Sequence, residues 1–393
     1  MVFFLPVNFP SIVALDQGGL KLAVLIGISL TTIGLVLRIF IDHSFTWVLI
    51  GQTLMAFGQP FTYNAPAKLS TNWFSYQERA IATMVGTSAN ILGITLGFLL
   101  PSLFIDDYVA DTEYTVEEKL TYKSQTRTML IAFAIFSVCI LMLIIFFFKE
   151  KPPTPPPADP EEKQQQVEIL SLWKGLRVLG SGDSRAVDYK ITLVVGTLLL
   201  GTLANGYAAL IGQFMLPFGI DDVSFVSWAG VAYNVGGLIG QVIASFLVCM
   251  WPKSLQLVFL IIAATSLLTF GYFFLATLVA SKANIILACV LVGIANLPVY
   301  TVSYELVVQQ TLSLGVGEGL SCGLINLLSN MIGWVCVLGL TPLLDKVEQR
   351  YSILSMAGLT FGLGLSVIFT ISLVLRNQMK RDDSCKPNKL VRQ

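Results

Sequence analysis

Charged residues are scarce in this chain of 393 residues. Asp, Glu, Lys and Arg together make up 12% of the sequence and apolar residues 55%, and the mean hydropathy is +0.75. A soluble domain of ordinary composition has about 25% charged residues. The shortage excludes an ordinary soluble globular protein and predicts an integral membrane protein.

Histidine and paired cysteines are also lacking. His43 is the single histidine, and the six cysteines lie mostly inside apolar runs without paired spacing. We therefore expect no disulfide framework and no metal site. The sequence has no phosphate-binding glycine loop and no nucleophile paired with a base, so it predicts neither an enzyme nor a cofactor. Nothing in it indicates nucleic-acid binding.

Long apolar runs are abundant instead. Runs of about 20 residues, the length of a membrane-crossing helix, begin near residues 20, 46, 79, 126, 191, 225, 254, 284, 317 and 351. The first fifteen residues are apolar but too short to cross alone. A signal peptide is the weaker interpretation because they lack a basic start and a small-residue cleavage site. We predict an all-α polytopic membrane protein with about eleven membrane segments.

An internal repeat divides the chain into two related halves. The Glu, Asn, Gly and Pro of residues 78–101 recur in the same order in residues 318–342, with one extra residue before the last Pro. Such repeats are typical of transporter folds. The predicted domains are an N-terminal helical bundle, a linker, a C-terminal six-helix bundle and a tail, over residues 1–149, 150–190, 191–376 and 377–393.

The two halves differ in their number of membrane segments. Five segments, the first incomplete, precede the linker, and six follow it. We interpret the difference as an incomplete N-terminus from which the first of twelve helices is missing. The alternative is a genuine protein of eleven spans.

The linker and the loop charges predict the orientation. Prolines between residues 152 and 160 exclude a continuous helix there. Residues 169–179 then have an amphipathic pattern, with Lys174 and Arg177 toward water, as in a helix that lies along the membrane interface. This helix is either a tether between the bundles or a partner-binding element. Because most Lys and Arg lie on the linker side, the linker and the C-terminus are predicted to be cytoplasmic, and the acidic loop at 106–118 external.

Polar side chains inside the spans are the candidate solute ligands. An amide at membrane depth either bonds to a neighbouring helix or faces a wet cavity, and both interpretations remain for Asn90, Asn326 and Asn330. Glycines at 201, 206 and 212 predict a bent helix around Tyr207. The candidate substrate-binding residues are Gln59, Tyr63, Asn90, Tyr207, Gln213, Asn326 and Asn330.

Few ionisable groups lie near membrane depth. Glu305 is predicted in the cytoplasmic third of its span, while Glu78 and Glu318 open helices, where the helix dipole favours a carboxylate. Because buried carboxylates are so few, facilitated uniport is the simplest interpretation. Glu305 could nevertheless take up a proton.

Several short motifs carry a family resemblance. They are GQ at 51–52, Gln59, Pro66, WF at 73–74, Glu78, Asn90, Gly93, GFLLP at 97–101, FKEKP at 148–152, Gln213, Glu305 and EGLSCGLIN at 318–326. On these residues the chain resembles the feline leukaemia virus subgroup C receptor-related family of the major facilitator superfamily. The ERAIAT run from Glu78 is also similar to the disrupted-in-renal-carcinoma branch.

The resemblance implies a gate. Asp16 and Lys21 match the signature loop of the superfamily, in which the acid is expected to brace the start of the penultimate helix and to hold the cytoplasmic gate. The candidate gating residues are Asp16, Lys21, Glu78, Arg79, Glu305 and Glu318.

The resemblance also implies a substrate class. Members carry choline, ethanolamine and related metabolites, and haem export has been proposed for the family. This chain has Ile91 where a glutamine is expected and Asn330 in place of another. We expect a monomeric carrier for a small organic metabolite, preferably a cationic amine, in the plasma membrane or an endomembrane. The alternatives are an exporter of haem or another metabolite, and a transport-inactive receptor or truncated isoform.

Overall fold

The computed structural model describes residues 4–75, 78–100, 104, 115–154, 172–181, 186–220, 222–251, 254–312 and 314–385. The predicted acidic loop, apart from its last residues, and most of the proline-rich linker lie outside these residues. The α-helices of the described part are α1 Phe4–Val13, α2 Leu20–Arg38, α3 Phe45–Tyr63, α4 Ala65–Trp73, α5 Arg79–Leu99, α6 Val116–Phe147, α7 Leu172–Gly180, α8 Val187–Leu199, α9 Ala208–Met215, α10 Val223–Met250, α11 Leu255–Leu278, α12 Lys282–Asn296, α13 Val299–Leu312, α14 Glu318–Leu344 and α15 Gln349–Cys385.

The helices have the length and surface of membrane spans. In the described part, eight helical runs are long and apolar enough to cross a membrane, and α5 contributes a shorter apolar stretch, Ile81–Gly97. Large apolar side chains such as Phe147 and Phe361 are exposed on the outside of the bundle, where lipid replaces water. The predicted all-α polytopic architecture is confirmed.

Three spans are interrupted near their middle. Asn64 separates α3 from α4, and Pro66 lies in the first turn of α4. Leu297 and Pro298 separate α12 from α13. Proline lacks the N–H that would continue the helix, so each interruption frees backbone groups and redirects the side chains that follow. The third interruption is a π-helical segment, Leu200–Tyr207, between α8 and α9, which agrees with the bend predicted from the glycines.

The two halves contact one another through few helices. α5 packs against α10 and α13, and α1 packs against α14. The helices α5 and α14, which carry the two copies of the repeat, therefore both lie at the boundary between the halves. The domain boundaries at 149, 190 and 376 remain a prediction.

The short linker helix α7 lies against the start of α14. Gly175 and Leu179 are buried, whereas Trp173, Lys174 and Arg177 are exposed. A Cβ atom on Gly175 would lie 2.6 Å from Cδ2 of Leu320. This amphipathic helix therefore has one side packed against α14 and one side exposed.

Close contact between α10 and α12 depends on glycine. A Cβ atom on Gly293 would collide with the carbonyl oxygen of Tyr233, and one on Gly236 would collide with the carbonyl oxygen of Val290. Small residues allow helix backbones to approach closely in a membrane.

We predict that Gly293→Ala lowers the midpoint of thermal unfolding in detergent, because overpacking costs about 1–3 kcal/mol. The matched control is Gly271→Ala on α11, where no atom lies within 4 Å of the added Cβ. Tryptophan fluorescence on heating measures both. An equal response of the two variants would contradict the close packing of α10 on α12.

Candidate solute cavity and gate

A cavity of about 560 Å³ lies between the two halves. α5 forms one wall, and the second half forms the other through α9, α10 and the break between α12 and α13. Its lining residues are Tyr63, Asn90, Ile91, Ile94, Ala204, Asn205, Ala208, Ala209, Ile211, Gly212, Gln213, Val226, Ser227, Gly230, Tyr233, Asn234, Leu297 and Tyr300. Amides, tyrosines and aliphatic groups make up this wall, and no side chain in it is charged at neutral pH.

Two amides of this main cavity have free hydrogen-bonding capacity. Nδ2 of Asn205 and Oε1 of Gln213 are buried and have no hydrogen-bond partner among the described residues. Both residues line the main cavity. A buried polar atom without a partner is costly, so a solute or water that satisfies these atoms is favoured at this site.

A second, smaller cavity adjoins the first. It has a volume of about 260 Å³ and shares Tyr63, Asn90 and Tyr300 with the main cavity. At this boundary Nδ2 of Asn90 donates a hydrogen bond of 2.8 Å to the Tyr63 hydroxyl. The Gln59 side chain also contacts that hydroxyl. The remaining lining residues are Thr62, Pro66, Gly86, Thr87, Ala89 and Tyr304.

Four of the candidate substrate-binding residues do not line either cavity: Gln59, Tyr207, Asn326 and Asn330. Tyr207 is fully buried among aromatic rings, with its ring centroid 4.9 Å from that of Phe273, and its hydroxyl lies 3.4 Å from the Cys289 sulfur. Nδ2 of Asn330 donates to the carbonyl oxygen of Asn326 in its own helix at 2.8 Å.

Asn326 belongs instead to a buried set of hydrogen bonds between the halves. Its Oδ1 accepts from the Tyr304 hydroxyl at 2.7 Å, and its Nδ2 donates to Oδ1 of Asn64 at 2.8 Å. Nδ2 of Asn64 donates to Oδ1 of Asn8 at 3.0 Å. We call Asn8, Asn64, Asn326 and Tyr304 the amide network.

One end of the bundle, which we call the linker face, carries the starts of α2 and α14. There the carboxylate of Asp16 accepts from the backbone N–H of Gly319 at 2.8 Å and of Leu320 at 3.0 Å. A Cβ atom on Gly319 would lie 2.6 Å from the Asp16 carboxylate, so glycine is needed for this approach. Asp16 thus caps the start of α14 from across the boundary between the halves.

Asp16 lies in the turn between α1 and α2, outside the membrane spans. Its burial disfavours the charged form and raises the pKa of the carboxyl group to about 6, and the nearby Glu318 carboxylate acts in the same direction. At neutral pH the group is still mostly ionised, so both oxygens accept from the start of α14.

An ion pair supports the same gate. Nζ of Lys68 on α4 lies 2.9 Å from Oε2 of Glu318, and the two side chains are only 11% and 12% exposed. Lys68 belongs to the first half and Glu318 to the second. This pair and the Asp16 cap together hold the first turn of α14.

A third contact joins α5 to α13. The Thr83 hydroxyl donates to Oε1 of Glu305 at 2.7 Å, and Arg79 lies near the same carboxylate. The carboxylate therefore faces the opposite half of the protein.

Two other predicted gating residues make contacts within their own half. Glu78 accepts from the Ser75 hydroxyl at 2.7 Å, within its own turn. Nζ of Lys21 lies 3.5 Å from the carbonyl oxygen of Ile145, while its backbone N–H donates to Oε2 of Glu150 at 2.6 Å. Neither contact crosses the boundary between the halves.

Several residues of the gate were not predicted from the sequence. Glu150 caps the start of α2, where it also accepts from the N–H of Leu20 at 2.8 Å. The only sequence signal that pointed to Glu150 was its position in the FKEKP motif. Asn8 lies in α1, Asn64 at the break between α3 and α4, and Lys68 in α4. Each pairs with a residue at least 250 positions away.

A helical membrane protein with a neutral polar cavity between two halves, closed by charged contacts at one end, has the architecture of a membrane transporter. Residues 1–312 match the Major Facilitator Superfamily. The chain therefore belongs to the Major Facilitator Superfamily, whose members are transporters rather than enzymes.

Curated relatives share this membership. An uncharacterized MFS-type transporter of Caenorhabditis elegans is 25% identical over 336 residues, which are 85% of this chain and 54% of that protein. The chain thus spans about half of the length of this relative. The choline/ethanolamine transporter FLVCR1 of Felis catus is 30% identical over 115 residues, 29% of this chain and 20% of that protein.

Solved structures show the same fold. The proton:xylose symporter XylE superimposes with a TM-score of 0.68 at 14% identity, covering 95% of this chain and 84% of that one.

We predict that Lys68→Met destabilises the folded protein strongly, because removing one partner of a buried ion pair costs about 3–5 kcal/mol. The control is Lys282→Met, which breaks an exposed pair with Asp222 whose side chains are 58% and 48% exposed and should cost at most about 1 kcal/mol.

Chemical unfolding followed by circular dichroism compares the two. The double variant Lys68→Met/Glu318→Met should recover most of the loss, since it leaves no unpaired buried charge. The assignment is wrong if Lys68→Met and Lys282→Met behave alike.

Proposed function

We propose that this protein carries a small organic solute across the membrane by alternating access, and that the solute is an amine of the choline or ethanolamine type. The observation that carries the proposal is the neutral cavity between the halves, with its unpaired amides. Membership of the superfamily supports transport, and the partial match to a choline/ethanolamine transporter supports the substrate class.

The cavity chemistry supports a small amine with a polar group. Tyr63, Tyr233 and Tyr300 line the main cavity, and aromatic rings attract weakly hydrated organic cations. Asn205 and Gln213 offer amide donors and acceptors to a hydroxyl or amino group. The same cavity has no acidic side chain that would select a compact inorganic cation.

The proposed cycle opens and closes the linker face. In the present conformation Asp16, the Lys68–Glu318 pair and the Thr83–Glu305 contact hold the halves together there. Opening toward that side requires all three contacts to break. We propose that the linker face is cytoplasmic, because most Lys and Arg of the sequence lie on that side.

We propose facilitated uniport as the mode of transport. No carboxylate lines either described cavity, so none there can exchange a proton directly with a bound solute. Glu305 bonds to Thr83 at the boundary between the halves instead.

A direct test is uptake by the purified chain in liposomes. Labelled choline and ethanolamine are supplied, with the uncharged choline isostere 3,3-dimethylbutanol as competitor. We expect saturable uptake of at least one amine that an imposed pH gradient does not drive. Liposomes that take up neither amine above the protein-free background would refute the proposed substrate class.

We predict that Asn205→Ala and Gln213→Ala each reduce the apparent affinity for the solute about three- to tenfold, the effect of one lost hydrogen bond. The control Asn330→Ala removes an amide of the same kind, whose hydrogen bond among the described residues is to its own helix. It should leave the affinity unchanged at equal protein levels. Concentration-dependent uptake measures all three variants, and a loss confined to Asn330→Ala would contradict the site.

A further inference from the structure

We propose that the amide network is a second, internal lock between the two halves, and that the Tyr304 hydroxyl is the positioning group that joins this lock to the cavity wall. The inference rests on the alternating access proposed above. It concerns residues that lie between the small cavity and the charged contacts of the linker face.

The hydrogen bonds of the network form a directed chain. Tyr304 donates to Asn326, Asn326 donates to Asn64, and Asn64 donates to Asn8 at 3.0 Å. The second Nδ2 hydrogen of Asn64 is directed to the Ser11 hydroxyl oxygen, also at 3.0 Å. The Asn64 amide therefore uses both of its hydrogens and its oxygen, and its orientation is fixed by its partners.

The chain of hydrogen bonds crosses the boundary between the halves at two points. The Asn326–Asn64 bond joins α14 to the break between α3 and α4. Nδ2 of Asn8 on α1 donates to the carbonyl oxygen of Gly323 on α14 at 3.1 Å. Separation of the two halves at this point must break both bonds.

The network is shielded from solvent. Asn8 and Asn64 are fully buried, and Asn326 and Tyr304 are 1% exposed. A hydrogen bond is stronger electrostatically in such surroundings than in water, and an unpaired amide there is costly. The network therefore favours the conformation in which all its members are paired, which is the one closed at the linker face.

The Tyr304 side chain contacts both the small cavity and the amide network. Its ring lines the small cavity, while its hydroxyl bonds to Asn326. Tyr300, one turn earlier on α13, lines the same cavity, and the two ring centroids are 6.4 Å apart at an interplanar angle of 84°. Among the described residues the Tyr300 hydroxyl has no hydrogen bond to the network, whereas the Tyr304 hydroxyl bonds to Asn326.

Two cysteines on α14, one near its start and one in its second half, can report the opening of the linker face through their reactivity. Cys322 immediately precedes Gly323 and is fully buried beside the network. Cys336 lies in the far half of the same helix and is partly exposed. Separation of the halves at the linker face should expose Cys322 without a comparable change at Cys336.

The test compares Tyr304→Phe with Tyr300→Phe in the full chain in liposomes without solute. N-ethylmaleimide labelling of each cysteine is followed by peptide-resolved mass spectrometry. For Tyr304→Phe we expect alkylation of Cys322 to become about three- to tenfold faster, the effect of one lost hydrogen bond, with Cys336 unchanged. In this solute-free assay Tyr300→Phe should leave the rate of Cys322 alkylation unchanged.

A second variant tests the chain of bonds. Asn326→Ala should also accelerate Cys322 alkylation, and Tyr304→Phe should add little to it, because both changes remove the same link. The lock is refuted if Tyr304→Phe leaves the Cys322 rate unchanged, if Tyr300→Phe raises it equally, or if Cys336 accelerates in parallel. Since no solute is present, absence of choline uptake would count against the proposed function and not against the lock.

Discussion

The first turn of α14 is the point on which the closed linker face depends. The backbone N–H groups of this turn have no acceptor within the helix. The carboxylate of Asp16, from the other half, accepts from two of them. Gly319 allows the carboxylate to reach the backbone. The Lys68–Glu318 pair crosses the same boundary, and α7 packs against Leu320. A helix start in a low-dielectric setting binds an anion well, so a few short contacts can hold two bundles together.

Two acidic residues at the linker face, Asp16 and Glu150, cap the starts of helices, with different consequences. Asp16 caps α14 across the boundary between the halves, so its hydrogen bonds must break when the halves separate. Glu150 caps α2 within the first half, where it accepts from Leu20 and Lys21. This second cap joins the start of the linker to the bundle within the first half. The two carboxylates thus use the same chemistry, one between the halves and one within a half.

The sequence was sufficient to predict the class and the order of the spans, because hydropathy and length decide which segments cross a membrane. It was less informative about which side chains face the cavity. Tyr207 and Asn205 are two residues apart, yet Asn205 lines the cavity and Tyr207 is buried behind it. Residues two apart lie on opposite sides of a helix, and the sequence alone does not show which of the two sides faces the cavity.

The contacts at the linker face were predicted in part, and their role in gating remains a prediction. The position of Asp16 at the start of α14 agrees with the expectation drawn from family resemblance, whereas Glu78 makes only a local contact. The partners Lys68, Asn8 and Asn64 could not be identified from the sequence, because a bond such as Asn64 to Asn326 joins residues 262 positions apart. Pairing over such a distance depends on how the halves are docked, and no local pattern encodes that.

The central claim is that the linker face and the opposite face open alternately. Spin-label distances measured in liposomes across both faces test it most directly, with one pair at Phe74 and Met250 on the linker face and another at Thr46 and Val279 on the opposite face, all exposed positions. On addition of a solute shown to be taken up, we predict that the linker-face distance increases while the opposite distance decreases. Distances that stay fixed during uptake, or that lengthen together, would contradict the account.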